Sequence, residues 1–88
     1  MNHRHRKVLH GIFAHPLNHN LDPEAVVHVL EELGAETKHS AQGSLAVSLN
    51  GAQGHFHIRG HSVPTEEVVR LRKLIEAAGV DPQRDYPL

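Results

Sequence analysis

The chain has 88 residues, no cysteine and a formal net charge of −1, with nine Lys and Arg against ten Asp and Glu. This length suits one small domain, and the lack of thiols excludes disulfides and thiolate metal sites. No apolar run approaches the roughly 18 residues of a membrane span and no secretory signal is visible, so we expect a soluble, cytoplasmic protein. Ten histidines, spread along the chain, are the compositional outlier.

The N-terminal segment, residues 1–21, is predicted to be a short helix and a loop. Residues 1–5 lack apolar anchors, so we expect them to be disordered. From about Arg6 to Ala14 apolar residues recur with helical spacing, and Pro16 is expected to end that helix. The basic run His3–Lys7 has two interpretations, a solvated tail or an arm that touches phosphate.

The second predicted helix has clear signals at both ends. Asp22 has the side chain of an N-cap, Pro23 fits the first helical position, and Gly34 fits the position just past the last turn. His28 lies off the apolar side of this helix and is expected to face solvent. The buried side is marked by Val26, Val27, Leu30 and Leu33.

The strongest strand pattern follows this helix. Residues 36–41 are predicted to form a first strand that leads into the Gly43-Ser44 corner. Apolar residues then alternate with small or polar ones over residues 44–49 and again over 55–59, which is the period of a half-buried strand. Asn50-Gly51 between the two runs is typical of a tight hairpin turn. The hairpin is therefore expected to have one apolar and one polar face.

A last helix is predicted to be capped by Thr65, or by Ser62 with Pro64 in its first turn, and to end at Gly79. Residues 81–88 are expected to be a tail. The apolar stripe of the helix is Val68, Leu71, Leu74, Ile75 and Ala78, and the basic residues expected on its exposed side are Arg70, Arg72 and Lys73. The order α-α-β-β-β-α predicts an α/β (α+β) protein, in which helices pack on one face of a small antiparallel sheet.

Several of these features occur together in residues 23–80: a helix ending L-E-E-L-G-A, the Gly43-Ser44 corner, a strand with Val63-Pro64 after it, and a helix ending L-R-K-L-I-E-A-A-G-V. This succession resembles the HicA family of bacterial toxin–antitoxin mRNA interferases. The resemblance implies a double-stranded-RNA-binding-domain-like fold, α-β-β-β-α, with a three-stranded antiparallel sheet, helices on one face and an extra N-terminal helix. The HicA-like domain is then expected over residues 22–80, after the segment 1–21 and before the tail 81–88.

The same resemblance implies an mRNA-binding protein of toxin–antitoxin type, whose partners are RNA and a HicB-like antitoxin, with no cofactor. The catalytic histidine of the family follows the Gly–Ser corner, whereas Leu45 stands at that position here. Ribonuclease activity therefore stays open. The alternative is a catalytically inactive module that binds a HicB-like antitoxin or another protein.

Histidines gather on the polar side of the second hairpin strand. His55 and His57 are two residues apart and are expected to project from the same face. Arg59 continues that row, His61 follows it, and His39 on the neighbouring strand is expected to lie opposite one of the two.

Three interpretations of this set stay open. In the first, the face binds RNA through Gly43, Ser44, His39, His55, His57, Arg59 and His61. The imidazoles would then hydrogen-bond or stack on bases, and His57 or His55 would serve as general base if RNA is cleaved. In the second, a His-x-His pair with a third histidine holds zinc or nickel, although we assign no metal site. In the third, the polar face meets only water or another chain.

Overall fold

Short strands and helices follow one another along the chain in the predicted order α-α-β-β-β-α, with one further helix at the C-terminal end. The computed structural model describes residues 1–14, 21–40, 43–58 and 62–88. In these ranges the helices are α1 (His3–Ile12), α2 (Pro23–Glu32), α3 (Thr65–Ala77) and α4 (Pro82–Asp85), and the strands are β1 (Glu36–His39), β2 (Ser44–Leu49) and β3 (Ala52–His57). None of the helices in these ranges is long and apolar enough to cross a membrane.

The strands form one antiparallel sheet in the order β1-β2-β3, so the α+β class with a three-stranded antiparallel sheet is confirmed. Asn50 and Gly51 join β2 to β3 with φ angles of 49° and 86°. Positive φ at both central residues is the geometry of the tight hairpin turn that the sequence predicts. The turn fixes the register, which sets Leu45 opposite Phe56.

The two faces of this sheet differ in burial. On the core face, side chains of β2 and β3 join apolar residues of α1, α2 and α3 in a single buried cluster, whose sheet members are Leu45, Val47, Leu49 and Phe56. The opposite face, here called the open face, is formed by alternate residues, namely Glu36, Lys38, Ser44, Ala46, Ser48, Gln53, His55 and His57. All of these are exposed or half-buried. The alternation of the sequence thus separates core from surface within each strand.

Gly54 is the residue of β3 against which Phe56 and α3 pack. A Cβ atom at this position would lie 3.0 Å from the Phe56 ring and 3.1 Å from a Leu74 methyl group. The missing side chain therefore allows α3 to approach the strand closely.

The ends of α2 are as predicted, whereas the start of α3 is not. The Asp22 carboxylate accepts the Glu24 N–H at 3.1 Å, and Gly34 follows the helix with a φ of 100°. At α3 the N-cap is Pro64, and in the described part of the chain no side chain bonds to that end. Thr65 is already the first helical residue, so the prediction that Thr65 or Ser62 caps the helix is wrong.

The N-terminal segment is ordered from its first residues, which corrects the expected disorder of residues 1–5. The Asn2 side chain caps α1 by accepting the His5 N–H at 2.8 Å. The His5 ring also lies 3.1 Å from a Glu32 carboxylate oxygen, which connects α1 to α2. The helix therefore begins at His3, three residues before the predicted Arg6, and it ends at Ile12. Pro16 lies outside the described residues.

The C-terminal tail also contains structure that the sequence analysis did not predict. The Asp81 carboxylate accepts the N–H groups of Gln83 and Arg84 and so caps α4. Asp85 accepts hydrogen bonds from Arg84 and from the Asp81 N–H, and these bonds lower the pKa of its carboxyl to about 2. The His10 ring bonds to the Tyr86 carbonyl at 2.8 Å, which fixes this segment to α1.

Arg72 is another correction. Its side chain is half-buried, and its Nε donates to the Ile12 carbonyl at 3.1 Å, at the end of α1. Arg70 and Lys73 are exposed, as expected. Of the three basic residues of α3, two therefore contribute to the surface and one connects α3 to α1.

Candidate nucleic-acid interface

The end of β3 presents two imidazoles to solvent from the open face. Phe56 is 1% exposed and lies in the core, whereas His55 and His57 on either side of it are exposed. Because neighbouring side chains of a strand alternate, both rings project from the same face, as their spacing predicts.

Short side chains separate these histidines from the other edge of the sheet. Lys38 of β1, Ala46 of β2 and His55 of β3 lie in one cross-strand row, and Ser44 lies opposite His57 in the next. Lys38 and His55 are two strand spacings apart, about 10 Å. The Lys38 ammonium group and the His55 imidazole thus lie on either side of a low centre, formed by the short Ala46 side chain, where a flat ligand meets little steric resistance.

A shallow depression of about 280 Å³ lies on this face and includes the Lys38, Ala46 and His55 row. It continues towards the hairpin turn through Ser48 and Gln53, and Glu36 lines it as well. The Lys38 ammonium group therefore lies nearer to the end of the face with His57 and Ser44, and the Glu36 carboxylate lies nearer to the hairpin turn. An anionic ligand would be favoured at the His57 end.

The Gly43-Ser44 corner closes the sheet beside His57. Gly43 has a φ of 80°, which favours glycine, and its carbonyl accepts the Ile58 N–H at 3.2 Å. The Ser40 and Ser44 hydroxyl oxygens are 2.8 Å apart, and the Ser44 N–H also donates to the Ser40 hydroxyl at 3.2 Å. The corner is thus held by several local hydrogen bonds.

His39 does not belong to the open face. It pairs with Leu45, which in turn pairs with Phe56, so its position in the register is that of the core-face residues. Its side chain lines a groove of about 490 Å³ beside α2, here called the α2 groove, together with Val27 and His28. The expectation that His39 lies opposite His55 or His57 is wrong, because β1 is separated from β3 by β2 and the register assigns His39 to the other side.

Leu45, at the position where the resembling family has its catalytic histidine, is 1% exposed and lines the same α2 groove. An alkyl side chain neither accepts nor donates a proton. The position also belongs to the core side of the sheet, away from His55 and His57. Those two histidines therefore do not restore an acid–base group at the place that the resemblance indicates.

Glu67 supports the end of β3, a role that the sequence analysis missed. Glu67 is 8% exposed, and its carboxylate accepts the His57 backbone N–H at 2.7 Å and a hydrogen bond from Arg70 Nη1 at 2.9 Å. The signal was present, since Glu67 precedes Leu71 by four residues and so shares the apolar stripe of α3. A carboxylate on that stripe needs a buried donor, and the His57 N–H supplies it.

Arg59 and His61, the other two predicted members of the histidine row, lie outside the described residues. In the ranges that are described, no three His, Asp or Glu side chains come close enough together to hold a metal ion. The residues that the structure brings together on the open face are therefore Ser44, His55 and His57, with Lys38 as an addition.

No protein-family model, no curated protein and no solved structure matches this chain. The likeness to the HicA family therefore stays a prediction.

Proposed function

We propose that the protein is a HicA-like, mRNA-binding protein of toxin–antitoxin type, which binds single-stranded RNA on the open face of its sheet. The observation that carries this proposal is the exposure of His55 and His57 side by side, across a low centre from Lys38. Exposed rings on a sheet are the usual surface on which proteins stack unpaired bases.

Each group has a defined part in this interaction. The two imidazoles offer flat faces to bases and ring nitrogens to hydrogen bonds, and Lys38 attracts phosphate. The short Ala46 side chain lets a base lie between Lys38 and His55. Glu36 repels phosphate, so the chain of nucleotides is expected to run towards the Ser44 end of the sheet.

Cleavage is not part of the proposal. A general base must reach the ribose hydroxyl, and the position expected to carry such a group holds the buried Leu45. His57 is the residue that would act as base if cleavage were found. An RNA-cleavage assay with wild type and His57→Ala checks this, and we expect no turnover from either protein.

The binding proposal is tested with a triple variant, Lys38→Ala, His55→Ala and His57→Ala, measured against a fluorescent single-stranded RNA. Loss of one stacked base corresponds to about 1–3 kcal/mol, so we expect the triple variant to bind about tenfold or more weakly. Wild-type affinity should fall steeply as salt is raised.

The matched control replaces one lysine and two histidines elsewhere, with Lys7→Ala, His28→Ala and His39→Ala. All three side chains are exposed and lie off the open face. The control should bind as the wild type does. An equal loss in both triple variants would contradict the assignment to the open face, and so would a loss in the control alone.

A further inference from the structure

The outer edge of β3 carries backbone groups that the sheet does not use. In a two-residue hairpin the residues next to the turn form a hydrogen-bonded pair, and bonded pairs then recur at every second position. Leu49 and Ala52 are that first pair, and the Ile58 N–H bond to Gly43 lies in phase with it. The backbone groups of Gln53, His55 and His57 therefore point away from β2.

The bond from the His57 N–H to Glu67 shows where this edge faces. Glu67 belongs to α3, so the outward groups of β3 point along the side of the sheet on which α3 lies. At one end of this edge, the Glu67 carboxylate already accepts the N–H of His57. Gln53 and His55 have no such partner among the described residues, and each leaves one N–H and one C=O exposed. This is four hydrogen-bonding groups in the spacing of a strand.

A groove runs beside these groups, between β3 and α3. It has a volume of about 450 Å³ and is here called the edge groove. Its floor is apolar, since Phe56 and Leu74 lie there, and its rim carries Arg70 and Lys73. The Arg70 guanidinium lies 5.0 Å from the centre of the Phe56 ring and covers one end. In the described part of the chain the lining of the edge groove includes no carboxylate. Arg70 is already paired with Glu67, so Lys73 is the cation left for an anionic ligand.

We propose that the edge groove binds an extended acidic peptide of a partner protein, which adds a fourth strand to the sheet beside β3. The peptide backbone would pair with Gln53 and His55. Side chains at alternate positions of the peptide would face α3, the apolar ones against Phe56 and Leu74 and an acidic one towards Lys73. Strand addition of this kind takes its affinity from main-chain hydrogen bonds and its specificity from alternate side chains.

Charge selects this occupant over a second copy of the chain. Antiparallel pairing of β3 with its own copy would bring two α3 helices to the same side of one sheet, each with Lys73 exposed at the groove, and these like charges repel. At the other edge of the sheet, Glu36 belongs to β1 and Glu31 lines the α2 groove with His39, so an acidic strand is less favoured there. The proposal is independent of RNA binding, since it uses the backbone and α3 rather than the imidazoles.

The test uses proline as a blocking residue. Gln53→Pro removes an N–H that points away from β2, so the ladder of the hairpin keeps its bonds. Gln53→Ala is the matched control, because it removes the same side chain and keeps the donor. The probe is a capped peptide of about six residues, long enough to cover this edge. Valine and glutamate follow each other at its alternate positions, which share one face of the strand, and threonine fills the positions between them. A second peptide, with lysine in place of glutamate, reports on charge.

We expect the glutamate peptide to shift the amide resonances of Gln53 and His55 and to slow their hydrogen exchange. Gln53→Ala should bind as the wild type does, whereas Gln53→Pro, shown to be folded by its amide spectrum, should lose binding. Lys73→Glu should weaken binding about fivefold, as expected for a reversed surface charge, and Lys7→Glu on α1 should leave it unchanged. The lysine peptide should bind more weakly.

Three results would overturn the proposal. The first is unchanged exchange at Gln53 and His55 with the glutamate peptide. The second is equal affinity of the alanine and proline variants. The third is protection of this edge that grows with protein concentration in the absence of peptide, which would identify a second copy as the occupant.

Discussion

The two faces of β3 show how one strand serves stability and binding at once. Phe56 is 1% exposed and belongs to the core, whereas His55 and His57 next to it are exposed on the open face. The period of two keeps these roles apart, and a slip of one residue in register would exchange them. The difference teaches that core substitutions should affect folding and open-face substitutions should affect binding.

The largest difference is expected between Phe56→Ala and His55→Ala. Truncation of a buried phenylalanine leaves a cavity and lowers the free energy of unfolding by about 3–5 kcal/mol. Replacement of the exposed His55 should change it by less than about 0.5 kcal/mol. Urea denaturation followed by circular dichroism measures both. Similar losses in the two variants would show that the faces are not separated as described.

A smaller effect is expected where α3 holds the end of the strand. Glu67→Ala removes the acceptor of the His57 N–H, and we expect a loss of about 2 kcal/mol in the free energy of unfolding. The neighbouring Glu66 is exposed and provides the matched control, with an expected change within about 0.5 kcal/mol for Glu66→Ala.

The same two variants can be compared by amide hydrogen exchange in β3. In Glu67→Ala the His57 amide should exchange faster with solvent than in Glu66→Ala. Equal exchange rates in the two variants would contradict the support that Glu67 is assigned.

The smallest effect is expected far from both faces, at α4. The pKa of the Asp85 carboxyl is lowered from its usual 3.8 to about 2 by hydrogen bonds from Arg84 and the Asp81 N–H. A lowered folded-state pKa adds stability above the usual pKa, and this contribution is lost as the pH falls from there through about 2. The Asp85 carboxyl shift, followed by NMR against pH, gives the value directly.

Arg84→Gln should return the pKa of Asp85 towards its usual value, and the amide shifts of β3 should stay unchanged. An Asp85 that titrates in wild type as it does in Arg84→Gln would show that the hydrogen bonds described at α4 do not form in solution.

The sequence predicts those parts of the fold in which local signals agree with packing. Asp22-Pro23 and Gly34 bound α2, and Asn50-Gly51 sets the hairpin, because caps and tight turns depend on a few neighbouring residues. The alternation of β2 likewise predicts which side chains are buried. The same local chemistry was overlooked in the tail, where Asp81-Pro82 repeats the signature of Asp22-Pro23 and begins α4.

Other features depend on contacts between distant segments. Arg72 is predicted to be exposed because it lies among charged residues. In the structure α1 approaches α3, and the Ile12 carbonyl accepts a hydrogen bond from Arg72. The disorder expected of residues 1–5 is replaced by a helix, because Asn2 caps it and His5 contacts Glu32. Neither contact leaves a periodic signal in the sequence.

The candidate site, like the fold, was predictable only in part. His55 and His57 follow from spacing alone. His39 does not, because its face depends on the register between β1 and β2, which the sequence leaves open. Lys38 joins the site through that same register.

The most direct test of RNA binding on the open face is an NMR titration of the wild-type protein with short single-stranded RNA at low and moderate salt. We expect the resonances of Lys38, His55 and His57 to shift most and the shifts to diminish as salt is raised. Shifts concentrated at His28 and His39 in the α2 groove, or no shifts at low salt, would contradict it.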